Sequence, residues 1–296
     1  MSEPGPGAGA GDAIALPPPP TTVGRRRLHQ RRQRRRSTLI ASISTVVVVT
    51  VVYVAITTAE GWPEVRDSFL SRSQFLDSWP DVRSAFWLNV RVFLIAEVCI
   101  LVFALLIALA RSSRAPTLFP LRLAAIVYTD LFRGIPVLLV LYILGFGVPA
   151  LRLDHVPNDP VFWATVALVL SYSAYVSEVY RAGIDSVHES QRAAARSLGL
   201  SSAQTLRFVV VPQAVRRVVP PLLNDFIALQ KETALVGVLG PIEAARQAQI
   251  DSSRDFNFTS YLTAAVLFLL ITVPLTRLTD WLLARQRRRT TIGSVS

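Results

Sequence analysis

The segment SVHESQRAAARSLGLSSAQTLRFVVVP, Ser186–Pro212, holds more structural information than any other part of the chain. Ser186-Val187-His188-Glu189 fits a capping box, with a hydroxyl at a helix start and a carboxylate three residues later. Gln191-Arg192-Ala193-Ala194-Ala195-Arg196-Ser197-Leu198 follows, a compact stretch of good helix formers. Gly199 can take the left-handed conformation that ends a helix, and Leu200 can pack back onto it. Ser201-Ser202-Ala203-Gln204 is a second capping box, opening a helix through Val211, and Pro212 is expected to break or kink the chain. A connection that only joined two elements would need a few residues. This one is structured, basic and alanine-faced, so it reads as a small rigid helix that a partner can approach closely. The competing reading is an amphipathic helix lying on lipid.

On both sides the chain turns apolar. Ile40–Ala59, Phe93–Ala110, Ile135–Ala150, Val161–Val176 and Tyr261–Pro274 are each nearly free of charge. A helix needs ~20 largely apolar residues to cross the bilayer core, and each run reaches or nears that length with its flanks. The 296 residues are 51% apolar and 17% charged, with a mean hydropathy of +0.42. A soluble domain carries about 25% charged residues, and its helices show apolar stripes of period 3.6 instead of unbroken runs. The fold class is all-α, a polytopic transmembrane helical bundle.

The arginines orient it. Net charge is +11, and Lys231 is the only lysine, leaving 31 − 1 = 30 arginines. Spans are expected at 38–59, 86–110, 121–150, 160–180, 213–240 and 259–284. Arg25–Arg36, then Arg111, Arg114 and Arg122, then Arg181, Arg192, Arg196 and Arg207, and finally Arg285 and Arg287–Arg289 all fall on one side. Glu60–Arg83, Asp154, Asp159, Glu243, Asp251 and Asp255 fall on the other. The basic side is expected to be the cytoplasm, which makes six spans with both termini inside. The expected segments are a disordered basic tail (1–37), an extra span (38–59), an external linker (60–84), the transmembrane domain (85–285) and a second cytoplasmic tail (286–296).

Several functions are excluded. The basic tail sits beside an apolar run, so it reads as an anchor on anionic headgroups and not as a nucleic-acid patch. The 38–59 run is long enough to span and lacks a small-residue cleavage pattern, so a signal peptide fits poorly. A phosphate-binding loop needs Gly-Lys followed by Ser or Thr, but Lys231 follows Gln230. His29, His155 and His188 are scattered, so no metal site is expected, and no nucleophile–base arrangement or cofactor motif is found. Cys99, the single cysteine, is expected to be an inert thiol facing lipid or another helix.

The pattern Ala193-Ala194-Ala195, Gly199, Val209, Val211-Pro212 resembles the cytoplasmic signature loop of ABC importer permeases. There it reads Glu-Ala-Ala, three residues, Gly, nine residues, then Ile-x-Leu-Pro, and the spacing matches; Ala193 stands where the family has Glu. Glu178–Ile184, Leu131–Pro136, Pro212–Arg217, Pro220–Asn224 and Leu229–Thr233 resemble the polar amino-acid branch of that family, although His188 and Ser190 replace its usual Pro and Gly. The resemblance covers 85–285. It implies a permease dimer, homo- or heteromeric, that passes an amino acid such as glutamate, glutamine or arginine. It also implies ABC ATPase subunits that grip the loop and an external solute-binding protein that delivers substrate. The coupling residues would be Gln191, Arg192, Ala193, Ala194, Ala195, Arg196, Leu198, Gly199, Leu200 and Pro212.

Ionisable groups at membrane depth are costly and tend to be functional or paired. Asn224, Asp225, Lys231 and Glu232 in the fifth expected span form either a translocation pathway or gate, or a helix–helix ion pair. Glu178 either contacts that pathway or holds the coupling loop. Arg133-Gly134-Ile135-Pro136 is a hinge or a kink, and Arg91 and Glu97 are expected to pair. The alternatives are a permease for an osmoprotectant or methionine, an ion-coupled secondary transporter, for which no internal repeat is found, and a non-transporting anchor.

Overall fold

A computed structural model describes the backbone of residues 22–113 and 115–292, and the side chains of 37–113 and 115–285. The chain divides into two compact units, Met1–Pro63 and Glu64–Ser296.

The first unit is built on α1, Thr22–Thr57. Residues 37–57 are apolar enough to cross a membrane, and none of that window is buried. Valine is a mediocre helix former in water, but lipid leaves backbone N–H and C=O groups no partner outside the helix. Thr45 and Thr57 follow the same logic, each bonding back to a carbonyl four residues earlier at 2.8 Å. The arginine run, expected to be unfolded, instead continues the helix as far back as Thr22. Arginine has high helix propensity, and a helix nucleated in the apolar run propagates into it cheaply. Residues 1–21 of the expected tail lie outside the described residues.

The second unit centres on α3 (Arg72–Ser112), which follows the short α2 (Trp62–Phe69). The expected linker therefore holds α2 and the first turns of α3, started by Ser71, whose side chain accepts from the Gln74 N–H. At 1.5 Å per residue α3 is about 60 Å long, roughly twice the bilayer core. α4 (Phe119–Gly134) is separated by Ile135-Pro136 from α5 (Val137–Tyr142), which passes through a π-helical turn into α6 (Val148–Ala150). The two halves are bent by 106°. α7 (Pro160–Asp185) starts at Asp159, which accepts from the Val161 N–H at 3.0 Å. α8 (Glu189–Ser197) and α9 (Ser202–Thr205) lead through a π-helical segment into α10 (Val211–Glu232). A 3-10 stretch, Thr233–Leu239, ends at Gly240 with φ of 108°. α11 (Ala244–Asp255) and α12 (Thr259–Ile292) complete the unit.

Helices in lipid gain little from apolar burial and associate through close packing, which small residues permit. Ala96 and Ala104 of α3 and Ala164 and Ala167 of α7 are fully buried, and they form one core with Leu168, Leu229 and Val236. Where α7 and α10 cross, Gly183 leaves room for Val218; a Cβ there would collide with it. A second core joins Val82 and Phe86 of α3 to Ala248 of α11 and Leu267 of α12. Leu94, Val98, Val102 and Leu106 stay exposed on α3, as lipid-facing positions should, and so does Cys99.

Among the described residues four helices are long and apolar enough to cross a membrane, or five if the bent pair is one span. The expected fifth span, 213–240, is not among them. Arg216, Arg217, Asp225, Lys231 and Glu232 make α10 too polar, and its α-helical geometry stops at Glu232. Pro212 does not break the chain either. It is the second residue of α10 and follows a π-helical turn, Leu206–Val210, in which the Val211 N–H bonds the Leu206 carbonyl five residues back.

Candidate coupling and translocation site

The projecting helix α8 is built from both ends. Its N-cap is His188, not Ser186: the His188 ring accepts from the Ser190 N–H at 3.2 Å, while Ser186 ends α7. The hydroxyl expected to open α8 is used at the preceding C-terminus, donating to the Gly183 carbonyl at 2.5 Å. At the other end Gly199 has φ of 86°; its N–H donates to Arg196 at 2.9 Å and the Leu200 N–H to Ala195 at 3.2 Å. These paired bonds form a Schellman stop, which only a left-handed residue allows. The second capping box forms, with Ser201 and Gln204 exchanging side-chain and backbone bonds.

Two arginines brace α8 and the end of α7 that carries it. Arg192 donates to the Ile184 carbonyl at 2.7 Å, and Arg217 of α10 to the Ser186 carbonyl, so the last turn of α7 has its orphan acceptors satisfied by cations. Ala195 faces inward, whereas Gln191, Ala193, Ala194, Arg196 and Gly199 are exposed. Leu198 is 84% exposed, an apolar tip on an otherwise polar stub.

Glu178, on α7, is surrounded by arginines. Arg111 at the end of α3 bonds one oxygen, Arg181 the other at 2.9 Å, and Arg133 of α4 stands 3.7 Å away. Arg133 also lies over the Tyr175 ring, and the Tyr175 hydroxyl donates to the Arg133 carbonyl at 3.3 Å. The Arg133-Gly134-Ile135-Pro136 bend is thus tied to α7 just before α8. Proline at 136 cannot donate to α4, and the residue before it is pushed to extended backbone, with Ile135 at φ −103° and ψ 129°.

The other charged residues of the interior gather elsewhere. Asp225 and Glu232 of α10 each bury an oxygen without a hydrogen-bond partner. The Tyr172 hydroxyl lies close to Glu232, and Glu97 of α3 faces Asp225. Among the described residues Glu97, Asp225, Lys231 and Glu232 form no ion pair. Lys231 and Asn224 are exposed. Arg91 does not meet Glu97 but lines an outer recess with Asp81 and Gln247.

Sequence reading missed one constellation. Glu243, 1% exposed, caps α11 by accepting from the Ala245 and Arg246 N–H groups at 2.9 and 2.7 Å. Asn89 of α3 donates to it at 3.0 Å and accepts from the Ala244 N–H at 3.1 Å. Burial pushes the Glu243 carboxyl above its usual range, and these donors pull it back. The available signal was Asn89, a lone amide inside an apolar run.

Fold and site define a polytopic helical membrane protein with a short capped helix projecting between α7 and α10. The chain belongs to the family described as the binding-protein-dependent transport system inner membrane component, whose model matches residues 100–291. It is 36% identical over 186 residues to a probable glutamine ABC transporter permease of Bacillus subtilis, covering 62% of this chain and 84% of that one. It is 33% identical to an L-cystine transport system permease of the same organism, covering 74% and 88%. A crystal structure of an amino acid ABC transporter with histidines aligns with a TM-score of 0.64 and 31% identity, covering 74% of this chain and 98% of that one. This places the chain in the amino-acid branch, as a multi-pass inner-membrane transport subunit and not an enzyme. ATP hydrolysis belongs to a separate subunit, and a binding protein is the family's other partner.

Proposed function

We propose that this chain pairs with a second permease subunit, a copy or a paralogue, to import a polar amino acid, and that α8 is the lever through which an ATPase drives the cycle. The arrangement of α8 carries the reading. It is stopped sharply at both ends, held by Arg192 and Arg217, and presents Ala194, Arg196 and Leu198 outward. With Ala193 in place of the family's glutamate, grip on the ATPase falls to Arg196 and the Leu198 tip. α8 and both termini lie in the cytosol, and α10 with Thr233–Leu239 serves as the fifth of six spans. Such a polar span is tolerable where it lines a water-filled path. Asn224, Asp225, Lys231 and Glu232 belong to that path, and Glu178 holds the lever to the hinge at Arg133, Gly134 and Pro136. Glutamate, glutamine or arginine is the expected class of cargo.

The test is the double variant Arg196→Glu, Gly199→Val. Valine at a positive φ is strained by about 1–2 kcal/mol, which loosens the Schellman stop while leaving the spans intact. The variant should insert at normal levels, while its ATPase partner no longer accelerates with loaded binding protein and uptake is lost. Normal stimulation and uptake in that variant would overturn the assignment of α8.

A further inference from the structure

At the N-terminal end of α3 an acidic recess of ≈ 260 Å³ opens between α3 and α11, lined by Gln74, Asp77, Asp81, Asp251, Arg254 and Asp255 among others. Four carboxylates face one guanidinium there, and Arg254 is already engaged with Asp255 at 3.0 and 3.1 Å. Asp77 and Asp81, one turn apart, have no ion-pair partner among the described residues. Asp251 is only 2% exposed, and while Gln247 donates to one of its oxygens at 2.9 Å, the other is buried without a partner. A buried carboxylate without a partner is costly in general, so a structure that keeps one leaves room for a cation to answer it. Burial raises the Asp251 carboxyl, and Asp81 and Asp255 add to the shift against the opposing Gln247 and Arg254.

The recess also has a side. From Asp81 to Arg111 is 111 − 81 = 30 residues along α3, about 45 Å at 1.5 Å per residue, more than the roughly 30 Å bilayer core. Arg111 is bonded to Glu178 beside α8, so the recess lies on the membrane face opposite the coupling helix. Among the described residues no three acidic or imidazole side chains converge closely enough to hold a metal ion. Spread carboxylates suit an organic cation, whose N–H donors reach outward from one head. We propose that this recess receives a lysine or arginine side chain of the external binding protein. The inference rests on the importer reading above and adds to it where, and by what charge, the delivering protein docks.

The test uses the permease–ATPase complex in liposomes with purified binding protein, comparing wild type with Asp77→Asn, Asp81→Asn. Both positions are exposed, so the fold should persist. The half-saturating concentration of binding protein should rise about tenfold at low salt, its dependence on ionic strength should flatten, and the maximal rate should hold. Reversing one basic residue of the binding protein to Glu against Asp81→Arg should recover the loss. Unchanged half-saturation in the double variant would overturn the proposal. So would a loss traced to permease dimer assembly, which would make the recess an interface between subunits. If wild type itself fails to respond to any binding protein, the importer reading fails instead, and the two failures are distinguishable.

Discussion

Glu178 shows how one residue can be recognised as important and still have its role decided elsewhere. Its carboxylate bonds Arg111 and Arg181, with Arg133 within reach, gathering α3, α4 and α7 at one point. Replacement by Gln keeps the volume but removes the anion that Arg111, Arg133 and Arg181 share, and Arg181 keeps only its second partner, Asp185, at 3.3 Å. Because the side chain is 20% exposed and the arginines are partly solvated, we expect a loss of about 1–2 kcal/mol and not the full cost of a buried pair. A drop of a few degrees in the melting temperature of the purified complex, with uptake reduced more than membrane level, would register it. Glu232 stands in contrast, with one buried oxygen unpartnered and no ion pair. If it lines the path, Glu232→Gln should lower uptake and leave assembly intact; wild-type uptake would leave Glu232 with a packing role only.

At the scale of elements, the stops were legible and the starts less so. Gly199 ends α8 as expected because a positive φ is cheap only for glycine. Ser186 was expected to begin α8 because hydroxyls cap helices, yet the previous helix reaches it first and His188 takes the cap. Two helices competed for one residue, and the outcome depended on where α7 ran out. The Pro136 break was visible as a dipeptide, but its 106° angle was not. That angle depends on Tyr175 and Glu178, which hold Arg133 from another helix. Pro212 misled for a different reason: proline breaks a regular α-helix interior, but the turn before it is π-helical, which the sequence did not disclose.

For the whole molecule, sidedness is the quantity on which the functional reading turns. On the proposed topology α8 faces the cytosol, so a thiol at Ala194, in a chain with Cys99→Ala, should react with an impermeant maleimide only in inverted vesicles or after permeabilisation. Ala194 is exposed and should react readily; labelling from outside intact cells would reverse the topology. A second large-scale feature is the length of α3. Its N-terminal turns pack on α11 and α12, and the acidic Glu60–Arg83 stretch is in large part helical. The interpretation of that stretch as a linker followed from its polarity, which marks solvent exposure but not the absence of a helix.

Local chemistry alone was enough to establish that the chain is a helical membrane protein and that a short capped helix projects from it before α10. Those properties depend on residue type and near-neighbour spacing, the terms that transfer to lipid and turn geometry set directly. The tertiary structure alone decided that Glu178 is a junction of three helices, that Asn89 and Glu243 lock α3 to α11, and that carboxylates as far apart in sequence as Asp77 and Asp251 line one recess. Such pairings join residues distant along the chain, and only the packing of the helices determines which of many possible partners comes within a few ångströms.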